Sequence, residues 1–335
     1  MTEDPYKPTL YFYCYDHDRP NGGQRQTYRH VDILNSAGID AYVLHRKANF
    51  RITWFVNATR IICEEDFRQR YREQYDIVVL PEDVGLRINE VPGIKVIFNK
   101  NLYSGYRALP LSNDLTDPYL SESVAGILTM SKHNCEHLRS AYPRKQIEVV
   151  HSELPEHIFS YRHWQAKKPQ IVTIVSKAHR QTAVLFHILR ARTAQGLNQG
   201  DRFKWIFVDN ESLESFAQIL RDSLIFVHLN VEEGLPESVL EAIASGCICL
   251  TYNCPPLSEY LDASNRFEYG QVIDLVKYIE RLMAAFPEHG DQFEGLIKAQ
   301  QRVLSDYSSK EQEAGVLHSW TQIIRRARAI CQDLS

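Results

Sequence analysis

Short apolar runs, each separated from the next by a segment of helical period, occur in two series along this chain. That alternation constrains its fold more than any other feature. In the first series, residues 10–14 (LYFYC), 41–44, 77–80, 96–98 and 126–130 are strand-like in length and composition. Between them, Tyr28, Val31, Ile33 and Leu34 recur at helical spacing up to Gly38, which suits a helix stop, and 64–75 and 134–141 read as further helices. After a polar segment at 160–169 the pattern restarts. Strands at 171–175, 204–208, 224–229 and 247–252 alternate with helices at 179–194, 213–220 and 238–245. Strands that alternate with helices build parallel sheets covered on both faces. A length of 335 residues exceeds what one core usually organises, so two Rossmann-like α/β domains are expected. The boundaries fall at 158/159 and 310/311. The tail from 311 to 335 belongs to one long helix, with Val316, Trp320, Ile323 and Ile324 on one face.

Composition removes several classes of function. A net charge of −4 gives no reason to expect a nucleic-acid partner, which usually announces itself through a basic patch. The start of the chain lacks a basic segment followed by an apolar run, and no stretch approaches ~18 apolar residues, so neither a secretory leader nor a membrane span is expected. The seven scattered cysteines, an odd number, fit free thiols in a reducing compartment, and a cytoplasmic location is the expectation. Cys247 and Cys249 alternate within an apolar run and read as buried strand residues rather than metal ligands.

The most informative segment is 230–247, NVEEGLPESVLEAIASGC. A strand ends at Leu229, a turn containing Gly234 and Pro236 follows, and a helix opens near Glu237 or Ser238. Free N–H groups and the dipole of a helix start make an anion site, and ligands of open α/β sheets bind at the carboxyl ends of strands. Glu233 and Glu241 flank the turn with seven residues between them. Each carboxylate can accept two or more hydroxyl hydrogen bonds, which suits a ligand rich in sugar or ribose hydroxyls.

This segment resembles the donor motif of the family 4, or group 1, glycosyltransferases, two glutamates separated by seven residues within E-G-L-P-x-x-x-x-E-A-x-A-x-G. Glu233, Gly234, Leu235, Pro236, Glu241, Ala242, Ala244 and Gly246 match it. The resemblance implies the GT-B fold, two Rossmann-like domains with parallel sheets facing a central cleft. The first (1–158) would bind the acceptor and the second (159–310) the nucleotide-sugar donor, with the terminal helix (311–335) crossing back to the first. It implies a hexosyltransferase that retains anomeric configuration and acts on a glycan or lipid-linked acceptor, with peripheral membrane association open. By the same resemblance Glu233 would meet the hexose hydroxyls, Glu241 the ribose, and backbone N–H groups from Gly234 through Ser238 to Val239 the sugar and diphosphate. The catalytic set would be Glu233 with a basic pair after the first strand of the second domain, Lys177 and Arg180 in a loop shorter than the family's.

Weaker matches extend the site. Gly22 and Gly23, in PNGGQ (20–24), sit where the family has a glycine loop near acceptor and donor. Asn99 or Asn101, after the strand at 96–98, is expected at the acceptor, and Ser131 precedes a helix as the family's crevice serine does. The histidine that many relatives carry in this region is missing. Asp16-His17-Asp18 has the D-x-D form of metal-dependent transferases, but no metal and no cofactor beyond the nucleoside diphosphate sugar are expected, because the helix start and basic side chains take the metal's place. Two rivals are a GT-B sugar-nucleotide epimerase and a non-catalytic nucleotide-sugar-binding protein. A dehydrogenase is disfavoured, since no G-x-G-x-x-G follows the first strand.

Overall fold

Aromatic and β-branched runs become seven parallel strands in the first part of the chain: β1 (Leu10–Tyr13), β2 (Ala41–His45), β3 (Ile61–Cys63), β4 (Ile77–Pro81), β5 (Ile94–Asn99), β6 (Val124–Thr129) and β7 (Ile147–Val149). They form one sheet in the order β3-β2-β1-β4-β5-β6-β7. The helices between them are α1 (Gly22–Ser36), α2 (Glu64–Arg70), α3 (Leu102–Arg107) and α4 (Lys132–Ala141). The computed structural model describes residues 6–288 and 290–333, apart from the side chains of Lys177 and Asp333. By its contacts the chain divides into unit 1, Met1–Ser152 with Ser309–Ser335, and unit 2, Glu153–Ser308. The sequence had suggested 158/159 and 310/311.

Unit 2 carries a second parallel sheet in the order β12-β11-β10-β8-β9. Its strands are β8 (Lys168–Ile174), β9 (Lys204–Val208), β10 (Ser223–His228), β11 (Ile248–Tyr252) and β12 (Arg266–Phe267). Its helices are α5 (Val175–Ala194), α6 (Leu213–Asp222), α7 (Glu237–Ala244), α8 (Val272–Ala285) and α9 (Gly290–Gln301). Central β10 and β11 are buried along their whole length, as a sheet covered on both faces requires. Two parallel-sheet α/β units of this kind are the parts of a GT-B fold.

The last helix, α10 (Ser309–Asp333), packs on unit 1. Val316, Trp320, Ile323 and Ala327 are fully buried, and the Trp320 ring lies edge-on to Phe12 in β1, 5.3 Å between centroids. Gly126 in β6 makes this approach feasible, because a Cβ there would lie 3.1 Å from Ile323 Cγ1. Ile324 is only half-buried, and Ala327 continues the apolar stripe instead.

Three sequence expectations need correction. The helix expected over 64–75 ends at Arg70, because Tyr71 turns extended to lay its ring on Phe67 and donate its hydroxyl to Pro92 O. The polar segment 160–169 is no free linker. Trp164 is buried, and the buried Lys167 ammonium donates to the carbonyls of Leu220 and Arg221 at the end of α6. Helix α5 begins at once after β8, with a break at Ala178 (φ −142°, ψ 43°), where a strand to 175 and a loop had been expected.

Candidate donor site at the carboxyl end of β10

The connections of unit 2 reverse direction between β8 and β10. The chain moves outward from β8 to β9, then returns to the other side of β8 for β10 and β11. Such a switch point leaves a crevice at the carboxyl ends of its two strands. The segment after β8 holds Lys177 and Arg180, and the segment after β10 holds Glu233 and the turn to α7. The fold therefore places these two sequence-derived groups at neighbouring strand ends. Arg180 is exposed. Lys177 lies on the first turn of α5, and its side chain is outside the described residues.

Asn230 to Pro236 form the turn, and Glu233, Gly234, Leu235 and Pro236 are all buried. The Tyr260 phenol donates to Pro236 O at 2.9 Å. Burial, reinforced by neighbours that include Glu233, holds that phenol well above its ordinary pKa, so it remains a donor. Helix α7 then starts with no side chain capping it. In its first turn Glu237 N donates to Leu235 O and Val239 N to Pro236 O, and the positive end of the helix dipole at this start favours an anion. Val239, Leu240, Ala242 and Ile243 are buried, and the helix packs on α6, α9 and β11. Ser238 is half-buried, with its Oγ sequestered and without a hydrogen-bond partner.

Glu233 and Glu241 are each 5% exposed. Buried carboxylates are costly unless neighbouring groups compensate them. Glu233 Oε1 accepts from Asn230 Nδ2 at 2.9 Å, and His228 Nε2 lies 3.6 Å from the same oxygen. Sequence reasoning gave no role to His228, Asn230 or Tyr260. Only Asn230, three residues before Glu233 in the quoted motif, could have been singled out. Gly246 proves structural: at φ +80° it ends α7, Cys247 N–H returns to Ala242 O at 2.9 Å, and a Cβ would strike Arg162 O at 2.6 Å. Cys247 and Cys249 are buried, and Cys247 Sγ donates to Leu220 O at 3.1 Å.

The residues singled out in unit 1 also gather at carboxyl ends of strands, but most have structural tasks. Asn101 caps α3, accepting from Tyr103 N and Ser104 N, and Ser131 caps α4, accepting from Asn134 N. Asp16 accepts from Arg46 N and Lys47 N, and Asp18 from Thr53 N and Thr53 Oγ1, so the two carboxylates of the D-x-D segment tie down different loops. Asn99 donates to the Tyr119 hydroxyl, while its buried Oδ1 has no hydrogen-bond partner. Gly22 and Gly23 open α1, capped by Asn21. A Cβ at Gly23 would lie 3.0 Å from Lys100 Cε, the flexible end of a side chain. Among the described residues no group of three or more His, Cys, Asp or Glu side chains could hold a metal ion.

Residues 191–291 match the family model described as glycosyl transferases group 1. The match supports a group 1 glycosyltransferase. It contains Glu233 and Glu241 and begins after Lys177 and Arg180. An alpha-1,6-glucosyltransferase of Actinobacillus pleuropneumoniae serotype 7 (strain AP76) is 22% identical over 273 residues, 78% of this chain and 76% of that protein. Among solved structures, a sucrose-phosphate synthase from Thermosynechococcus elongatus superposes with a TM-score of 0.67 at 12% identity, covering 95% of this chain and 99% of that one. A pneumococcal O-GlcNAc transferase, GtfA, solved with UDP and GlcNAc, gives 0.63 at 9% identity over 96% and 99%. WaaG, a glycosyltransferase of lipopolysaccharide biosynthesis, gives 0.61 at 10% identity over 92% and 99%. At such identities the structural likenesses speak to the fold, which is GT-B. No helix among the described residues is long and apolar enough to cross a membrane.

Proposed function

We propose that this protein transfers a hexosyl group from a nucleoside diphosphate sugar to a hydroxyl of a glycan or lipid-linked acceptor, with retention of anomeric configuration. The observation that carries this reading is the pair of buried carboxylates, Glu233 and Glu241, on either side of an uncapped helix start at a topological switch point. Glu241 takes the ribose hydroxyls, Glu233 the hexose hydroxyls, and the N–H groups from Gly234 to Val239 the diphosphate. In the reaction the bond from the anomeric carbon to the diphosphate oxygen breaks, and its electron pair leaves with the diphosphate. The acceptor oxygen bonds to the anomeric carbon, and its proton passes to the leaving phosphate. Lys177 or Arg180 and the α7 start stabilise the charge that develops on the diphosphate. Gly22 and Asn99 in unit 1 serve the acceptor. No metal is required in this scheme, and a cytoplasmic location fits it.

Calorimetry against UDP, GDP, ADP and their hexose derivatives tests the reading, followed by donor hydrolysis and transfer assays with the tightest ligand. Binding of one nucleoside diphosphate series, with release of free sugar or glycosylated product, is expected. Binding without turnover would identify a non-catalytic binding protein. Conversion to an epimeric sugar nucleotide would identify an epimerase.

A further inference from the structure

The proposed donor site contains a buried imidazole to which that reading assigns no task. His228 is the last residue of β10, is 4% exposed, and lies stacked on Phe226 at 6.5 Å between ring centroids. Its Nε2 lies 3.6 Å from Glu233 Oε1, an electrostatic contact longer than a hydrogen bond. Asn230 Nδ2 donates to that same oxygen at 2.9 Å. Two groups from different positions, one on a rigid central strand and one in the turn, thus converge on a single carboxylate oxygen. A glutamate side chain in a turn has rotamers to lose, and recognition of sugar hydroxyls needs its carboxylate in one orientation.

We propose that His228 is a positioning residue, resting on the donor-site reading above, which with Asn230 fixes the carboxylate of Glu233 against the hexose hydroxyls of the donor. The buried strand holds the ring, the ring and the Asn230 amide hold Oε1, and the carboxylate is ordered before the sugar arrives. His228 touches no reacting atom, so its loss affects use of the sugar and leaves the nucleotide half of the site, built around Glu241, as it was.

His228→Leu, His228→Gln and Asn230→Ala separate this role from simple packing. The readouts are donor hydrolysis with whichever of UDP-glucose, UDP-N-acetylglucosamine and GDP-mannose the wild type cleaves fastest, the Kd of free UDP or GDP, and the melting temperature. His228→Leu is expected to lower kcat/KM for the sugar nucleotide by about 10- to 100-fold, the usual cost of losing a group that orients a site residue. Its Kd for the free nucleotide stays within about twofold. His228→Gln, whose amide nitrogen reaches about where Nε2 lies, restores most of the loss, and in a Glu233→Ala background His228→Leu adds nothing further. Native kcat/KM in the Leu variant, an equal loss in the Glu233→Ala background, or a parallel loss of nucleotide affinity would each overturn the proposal. If the Leu variant does not fold, Asn230→Ala in the half-buried turn provides the same comparison. A wild type that neither binds nor cleaves any sugar nucleotide would instead overturn the donor-site reading itself.

Discussion

In unit 1, the polar side chains just past β5 and β6 turn back onto their own backbone, Asn101 onto the first turn of α3 and Ser131 onto that of α4. In unit 2, the helix that follows β10 has no such cap, and the carboxylates beside it are buried. Both sheets are parallel and both present strand ends, helix starts and polar residues. The difference lies in what those residues satisfy. A capped helix start has an open donor satisfied by its own side chain, while the uncapped one joins its dipole to two buried carboxylates at one strand end. The same residue types in the same place can thus be scaffold or site, and the hydrogen-bond partners decide between them.

The strongest way to break this contrast is to remove the cations proposed for the leaving diphosphate. Lys177→Ala and Arg180→Ala together are expected to lower turnover by about 100- to 1,000-fold, the typical cost of losing a donor to a developing oxyanion. Donor affinity should fall much less, because the interaction strengthens as charge develops. Near-native kcat in the double variant would show that the diphosphate is neutralised elsewhere. Comparing the single variants then identifies which residue does the work.

Glu241→Ala should follow in size. Removing a charged acceptor from ribose hydroxyls should weaken free-nucleotide binding by about 1.5–3 kcal/mol, or roughly 10- to 150-fold, measured by calorimetry on a protein with native circular dichroism. Unchanged affinity would remove Glu241 from the nucleotide site and leave unit 2 no more site-like than unit 1.

The parallel α/β architecture and the placing of Glu233 and Glu241 were legible because they rest on local patterns, alternating strands and helices and one contiguous motif. What was illegible depends on residues distant in sequence. Asp16 meets Arg46 and Lys47, and Asp18 meets Thr53, partners that no spacing rule connects. His228 could not be picked from SLIFVH, since its significance comes from the turn that brings Glu233 back beneath it. The short edge strands β3, β7 and β12, of two or three residues, are too brief for any periodicity to register. Asn101 and Ser131 each precede a helix, and the bland capping role that such a position favours is the one the structure gives them.

That capping role sharpens the comparison from the other side. Asn101→Ala and Ser131→Ala should each lower stability by about 0.5–2 kcal/mol in denaturant unfolding while nucleotide affinity stays native. A variant of normal stability with impaired acceptor use would move that residue from scaffold to site.

The smallest expected effect concerns the one segment of unit 1 that imitates a metal site. Asp16 and Asp18 look like a D-x-D pair, yet Asp16 accepts from two backbone N–H groups and Asp18 from one backbone N–H and a hydroxyl. Carboxylates engaged in this way already serve as anchors for the loops at 46–47 and 53. Turnover is therefore expected to be unchanged by excess EDTA and by added Mg²⁺ or Mn²⁺. Asp18→Asn keeps an acceptor for Thr53 N but loses the charge, so it should cost at most about 1–2 kcal/mol of stability with kcat intact. If chelation abolishes turnover, Mg²⁺ or Mn²⁺ restores it, and Asp18→Asn abolishes that rescue, the D-x-D segment is a metal site after all. Unit 1 would then hold part of the chemistry that the contrast assigns to unit 2.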